Sequence, residues 1–302
     1  DSLGHTYHGD HAYVFYQKPV HARKYPLVFA HGVGQFSKTW ETTPDGREGF
    51  QNIFLRRSFS TYLVNQPRRG NAGRSTETIT ISPAFDEEEW FNRFRVGIYP
   101  DYFEGVQFSR DREALNQYFR QMTPTIGPLD FDVYSDAYAA LFDKIGPAIF
   151  VTHSQGGPVG WFTLLKTKNI KAIVAYEPGG SVPFPTGQVP EEGKVLTRSK
   201  KTEGIEVPMA VFKRYMEIPI IIYYGDNLPE TDEHPELYEW TRRLHLMRKW
   251  AEMLNKLGGD VTVIHLPDVG LHGNTHFPMS DLNNVEVADL LSKWLYEKQL
   301  DR

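Results

Sequence analysis

Cysteine is absent from all 302 positions. That excludes disulfide frameworks, thiolate nucleophiles and cysteine-bound metals, and it leaves the redox compartment open. Also missing is any apolar run near the roughly 18 residues that a membrane helix needs; the longest, at 218–224, has the length of a strand. Positive charge is in deficit, 33 Lys and Arg against 38 Asp and Glu, for a formal net charge of -5. The basic residues are scattered rather than drawn into the stripe that tracks a phosphate backbone. A membrane span and a nucleic-acid partner are therefore not expected. No internal repeat or low-complexity tract is present, and oligomeric state is not legible in the pattern.

What the chain does have is apolar content, 40% hydrophobic and 14% aromatic, enough for one large buried core. Short apolar runs at 27–30, 61–64, 148–152, 172–175, 218–224 and 261–266 read as strands. They alternate with helical spacing at 49–58, 135–145, 156–168, 237–257 and 285–298, the fourth stopped by Gly258-Gly259. Alternation of this kind predicts an α/β fold, a mostly parallel sheet flanked by helices, with 1–302 as a single domain. Two stretches break it, 82–132 and 181–211, and both are expected to be cap insertions. The first is rich in aromatic residues, which either line an apolar acyl pocket or give the insertion its own small core. Connections this long inside a compact domain are usually functional.

Ser154 stands where a buried strand turns sharply into a helix beginning near Gly156. A serine at such a corner projects from the carboxyl end of a sheet, with the next amides facing the place where an oxyanion would form. Gly156 meets the demand for a small neighbour, whereas Thr152 replaces the usual glycine two residues before the serine. The competing reading is a serine that only caps the next helix. His31-Gly32-Val33-Gly34 follows directly on the strand at 27–30, the position of a loop that donates a backbone amide to the oxyanion. Val33 is the expected first donor, with Gly34 as runner-up and Gln155 supplying the second amide.

The general base should follow the last core strand and precede the final helix. His272 meets that condition and His276 is the runner-up. Their spacing of four could hold a metal on one helical face, but Gly273 and Pro278 argue for a loop and no glutamate lies between them, so no metal is expected. His31, His153 and His265 read as structural. Two carboxylates end core strands, Glu177 and Asp226, and either could orient the base. The strand pattern favours Asp226.

Several peptides, taken together, resemble an uncommon branch of bacterial α/β-hydrolase esterases. They are Trp40-Glu-Thr-Thr-Pro-Asp-Gly-Arg47, Phe54-Leu-Arg56, Ser60-Thr-Tyr62, His153-Ser-Gln155, Glu177-Pro-Gly179, His272-Gly-Asn274, Asp281-Leu-Asn-Asn284 and Val287-Ala-Asp-Leu290. The resemblance implies an α/β-hydrolase fold and a triad of Ser154, His272 and Glu177, the acid following the strand after the nucleophile, with Asp226 left as the alternative. Members of that branch can carry two adjacent cysteines where this chain has Val33-Gly34, and they are often exported.

The activity these parts imply is hydrolysis of a small-molecule carboxylic ester through an acyl-enzyme, with no cofactor. A lactonase or an amidase would use the same residues, and a non-catalytic binding protein on the same fold is the alternative from another class. Dehalogenases and epoxide hydrolases of this architecture need an aspartate at position 154. The chain starts at Asp1 rather than Met, which fits removal of a secretory signal. A periplasmic or secreted location is expected, with the cytoplasm as the alternative.

Overall fold

The structure, a computed structural model, describes residues 3–196 and 200–302. In chain order it forms β1 (Tyr13–Gln17), β2 (Leu27–Ala30), α1 (Lys38–Glu41), α2 (Phe50–Arg56) and β3 (Thr61–Asn65). An insertion follows, with α3 (Glu87–Arg93), the short pair β4 (Gly97–Ile98) and β5 (Asp101–Tyr102), and α4 (Arg112–Arg120). The chain re-enters the core at α5 (Phe131–Ile145), β6 (Ala148–His153), α6 (Gly156–Lys166) and β7 (Ile170–Tyr176). A second insertion holds β8 (Val182–Pro185), β9 (Gly204–Val207) and α7 (Met209–Phe212). The core closes with β10 (Ile220–Tyr224), α8 (Pro235–Lys256), β11 (Val261–His265) and α9 (Asn284–Glu297). Residues 197–199 of the expected second cap lie outside the described residues.

Seven strands form one sheet in the order β1-β3-β2-β6-β7-β10-β11. Every neighbouring pair is parallel except β1 with β3. Strands β2, β3, β6 and β10 are buried at every residue. A parallel strand covered on both faces reads as a continuous apolar run, which is why these were visible in the sequence. Edge strand β1 was not, because its exposed Tyr13, Phe15 and Tyr16 give no polar-apolar alternation. Helix α5 starts earlier than its spacing suggested: the Asp130 side chain caps it, accepting the amides of Asp132 and Val133 at 3.0 and 3.1 Å.

Chain order decides where a ligand can enter. After β2 the chain moves to β3 on one side, then crosses back to β6 on the other, so the order reverses between β2 and β6. Connections leaving adjacent strands in opposite directions open a crevice at the carboxyl ends of those strands. The loop 31–34 leaves β2 there, and the turn at Ser154 leaves β6 there.

Candidate active site

Ser154 has φ of 54°, a left-handed backbone that a non-glycine residue adopts only when its surroundings impose it. They do so here through hydrogen bonds. Its amide donates to the Tyr176 carbonyl at 2.9 Å, and its own carbonyl accepts the amides of Gly157 and Gly179 at 2.8 and 3.2 Å. A Cβ on Gly157 would sit 2.6 Å from Pro178 Cβ, and one on Gly156 would sit 3.0 Å from the His31 carbonyl oxygen. Gly157 is therefore required by close approach, and Gly156 leaves little room for a side chain. Thr152 is accommodated from the opposite partner: Gly160 of α6 has no side chain where a Cβ would lie 3.1 Å from the threonine Cγ2. The glycine expected before the serine has in effect moved onto the facing helix.

The loop after β2 presses against this turn, since a Cβ on Gly32 would lie 2.7 Å from Ser154 Cβ. Gly34 has φ of 65° and its carbonyl accepts the Thr123 amide at 2.8 Å. Among the described residues the amides of Val33, Gly34 and Gln155 meet no protein acceptor. His31 is buried beneath the loop and accepts the Gln66 amide on Nε2 at 3.2 Å. Desolvation, with help from the Arg69 charge, pulls its pKa down to about 3, so it is neutral and structural.

The structure separates two residues that the sequence reading joined. Glu177 and His272 do not meet. The His272 side chain is 71% exposed, and its Nδ1 lies 3.8 Å from Asp226 Oδ2. Asp226 also accepts the Gly273 amide at 2.7 Å, which holds this end of the loop out on the rim. Four residues on, the loop turns inward and buries His276, whose Nδ1 lies 3.1 Å from Glu177 Oε2 with both side chains fully covered. The physical reason is what surrounds each position. The His276 ring stacks on Phe94 at 4.6 Å and packs on Trp240 at 4.0 Å, whereas His272 has a polar anchor and water.

His153, the residue before the serine, reaches the same ring: its Nε2 donates to the His276 carbonyl at 2.8 Å, and the two imidazoles are 4.7 Å apart. Among the described residues His276 Nε2 is buried without a partner. Desolvation, then the charges of Arg95, Arg243 and Arg93, hold the His276 pKa well below the ordinary histidine value. The ring is thus a free base at neutral pH.

Sequence reasoning missed Arg95. It is fully buried in the first insertion, with Nη2 2.5 Å from Glu177 Oε1 and Nε donating to the Asp226 carbonyl at 2.8 Å. Glu177 also accepts the Gly225 amide, so the arginine and this amide occupy one carboxylate oxygen and leave the other for His276. No motif surrounds Arg95; its partner is 82 positions away. The loop itself is tied by Asp281, which accepts from Asn274 Nδ2, the Thr275 amide and Thr275 Oγ1 at 3.0, 2.7 and 2.7 Å.

No family model matches the chain. It is 30% identical to a novel bacterial esterase of known structure, covering 96% of this chain and 86% of that one with a TM-score of 0.78. The chain belongs to the α/β-hydrolase esterases. This carboxylic ester hydrolase is also 27% identical over 301 residues to a probable secreted lipase, phiG, of a fungus (strain ATCC 74256), covering 91% of this chain and 82% of the lipase. A carboxylesterase structure from the thaumarchaeon Nitrososphaera gargenis shares the fold at 11% identity, with a TM-score of 0.52 and 96% of each chain covered.

In the esterase the aromatic residues of the first insertion pack mainly on each other. Phe91 meets Tyr99 and Tyr102, Tyr102 meets Phe108, Phe108 meets Tyr118, and Tyr118 meets Phe277 beside the buried histidine. The insertion grips the site at two ends. Its Gln107 amide donates to the Gly273 carbonyl at 2.7 Å, and Gln121 Nε2 donates to Gln35 Oε1 at 2.7 Å on the loop after β2. The Trp40 to Arg47 peptide acts as a brace: Arg47 pairs with Asp45 at 2.7 Å and donates to the carbonyls of Ser280 and Asp281 at 3.1 and 3.0 Å. Among the described residues no three His, Asp or Glu side chains converge as metal ligands would, and no helix is long and apolar enough to cross a membrane.

Proposed function

We propose that the esterase works through an acyl-enzyme in which Ser154 is the nucleophile, His276 the base and Glu177 the acid. The observation that carries this reading is the buried Glu177–His276 pair beside the strained turn that bears the serine. His276 replaces His272 because only the former reaches a carboxylate inside the site. Neutral His276 takes the serine proton on Nε2 as Oγ attacks the ester carbonyl, while Glu177 holds Nδ1 and stabilises the imidazolium that forms. The amides of Val33 and Gln155, with Gly34 behind the first, donate to the oxyanion, each contributing about 3 kcal/mol of transition-state stabilisation. The protonated ring then releases the alcohol, and water repeats the sequence on the acyl-enzyme.

The aromatic insertion at 82–132 forms one wall of the acyl pocket in this reading, and the substrate is a small-molecule ester. Export follows from likeness to a relative named as secreted; fractionating cells that express the unprocessed gene tests it, and retention in the cytoplasm overturns it. The central test is Ser154→Ala on a short-chain p-nitrophenyl ester, with fluorophosphonate labelling of the wild type. Loss of turnover of at least about 10⁴-fold and a label on Ser154 are expected. An unlabelled wild type, or a variant that keeps its turnover, ends the proposal. Matched lactone and amide substrates in the same assay rank the reactions this triad supports.

A further inference from the structure

Among the described residues three arginines are buried, and two of them are matched by carboxylates: Arg68 by Asp10 and Arg95 by Glu177. Arg69 is the third. It is 1% exposed, and among the described residues no carboxylate pairs with it. Its Nη1 donates to the Gln35 carbonyl at 2.9 Å and to the Gly32 carbonyl at 3.3 Å, its Nη2 donates to Thr125 Oγ1, and its Nε is buried without a partner. Burial lowers its pKa to about 10, so the guanidinium stays charged at neutral pH. A buried cation with no counter-charge is costly, and a neutral side chain of similar shape would hold a loop more cheaply.

Its two carbonyl partners lie within and just after the loop that leaves β2; the Gly32 carbonyl also accepts from His31 Nδ1 at 3.0 Å and from the Gln35 amide at 3.4 Å, and Arg69 is the charged donor among the three. A trans peptide holds its C=O and N–H antiparallel, so fixing the Gly32 carbonyl fixes the direction of the Val33 amide in the same plane. Donation from a cation also polarises that peptide and strengthens its N–H as a donor. We infer that Arg69 is a positioning residue for the oxyanion hole: it aims and polarises the Val33 amide through the Gly32 carbonyl, and its charge is balanced when the oxyanion forms. This rests on Val33 being an oxyanion donor, as proposed above. A structural clamp would act equally on free enzyme, substrate complex and transition state; this device acts chiefly on the last.

The test compares Arg69→Met and Arg69→Lys with wild type for kcat and KM on a p-nitrophenyl ester, and for affinity toward a boronic acid that forms an anionic tetrahedral adduct on the serine. Arg69→Met is expected to lower kcat about 10- to 100-fold with KM changed less than about 3-fold, and to weaken the boronate by the same factor as kcat. Arg69→Lys should recover part of both. A folded Arg69→Met with kcat and boronate affinity within about 2-fold of wild type overturns the inference, as does a loss in KM alone. If that variant does not fold, Thr125→Val, which frees Nη2, should lower kcat and boronate affinity in parallel by about 2- to 5-fold; no change in either is then the overturning result. Fluorophosphonate labelling of wild-type Ser154 separates the two levels: label present with Arg69 indifferent defeats this inference alone, and label absent defeats the reading beneath it.

Discussion

The esterase contains two acid–histidine pairs built from one loop, four residues apart. Asp226 and His272 face each other across 3.8 Å at the rim, with the histidine mostly in water. Glu177 and His276 are 3.1 Å apart, fully covered, with aromatic faces on the imidazole and Arg95 on the carboxylate. In water a contact at such a distance is worth little. Inside the fold the ring has one orientation, one tautomer is favoured, and the carboxylate acts at close to full strength. The pairs differ in surroundings rather than in chemical type, and that difference is why His276 is the proposed base.

Deleting each imidazole sharpens that contrast most. His276→Ala is expected to lower kcat/KM by about 10⁴-fold or more, and His272→Ala to leave it within about 3-fold, measured on one ester with circular dichroism as a check of folding. The reverse order of effects would break the comparison. The acids come next: Glu177→Gln should cost about 10²- to 10⁴-fold in kcat, while Asp226→Asn should cost less than about 10-fold. Asp226→Asn should instead lower stability by about 1 kcal/mol in urea denaturation, since the Gly273 amide loses an anionic acceptor.

Acidification tests the buried side of the comparison more gently. His31, with a pKa near 3, and His153 and His276, held well below the ordinary range by burial, stay neutral in the folded protein. Once unfolded they take up protons below about pH 6.5. Stability from these three is fully present above that pH and falls as pH drops. Asp281 works in the opposite sense: burial raises its pKa to about 7, so between there and the ordinary aspartate value of 3.8 the folded state holds the extra proton and gains stability as pH falls. Three histidines against one carboxyl leave a net proton uptake on unfolding, so stability falls as pH drops below about 6.5. Urea midpoints at pH 7, 6 and 5 measure it; a flat profile would mean that these rings are not held neutral.

The smallest expected effect concerns the turn. Gly160→Ala places a methyl 3.1 Å from Thr152 Cγ2 and should destabilise by about 1 kcal/mol, relieved when Thr152→Gly is added. Additive losses in the double variant would deny that these two residues share one space.

Much of this could be read along the chain. Strands buried on both faces announce themselves as unbroken apolar runs, and a loop or a serine that follows such a run has its place at the carboxyl edge fixed by connectivity. Ser154 and the 31–34 loop were legible for that reason. The choice between His272 and His276 was not, because both follow β11 in one loop and satisfy the same order rule. Pattern alone preferred Asp226, which ends the second strand after the nucleophile strand, while the resemblance implied Glu177; the structure sets Glu177 against a buried imidazole and Asp226 near an exposed one.

Sequence by itself determined the architecture, the sharp turn at Ser154 and the glycine-bearing loop beside it, because hydrophobic periodicity and backbone freedom are local properties. Tertiary structure alone decided which histidine meets which acid, that Gly160 gives Thr152 its room, and that Arg95 reaches Glu177 and Arg69 the Gly32 carbonyl from positions with no motif. Those outcomes depend on burial and on partners far away in the chain, and a side chain's charge, orientation and pKa take their values only when the fold has chosen its neighbours.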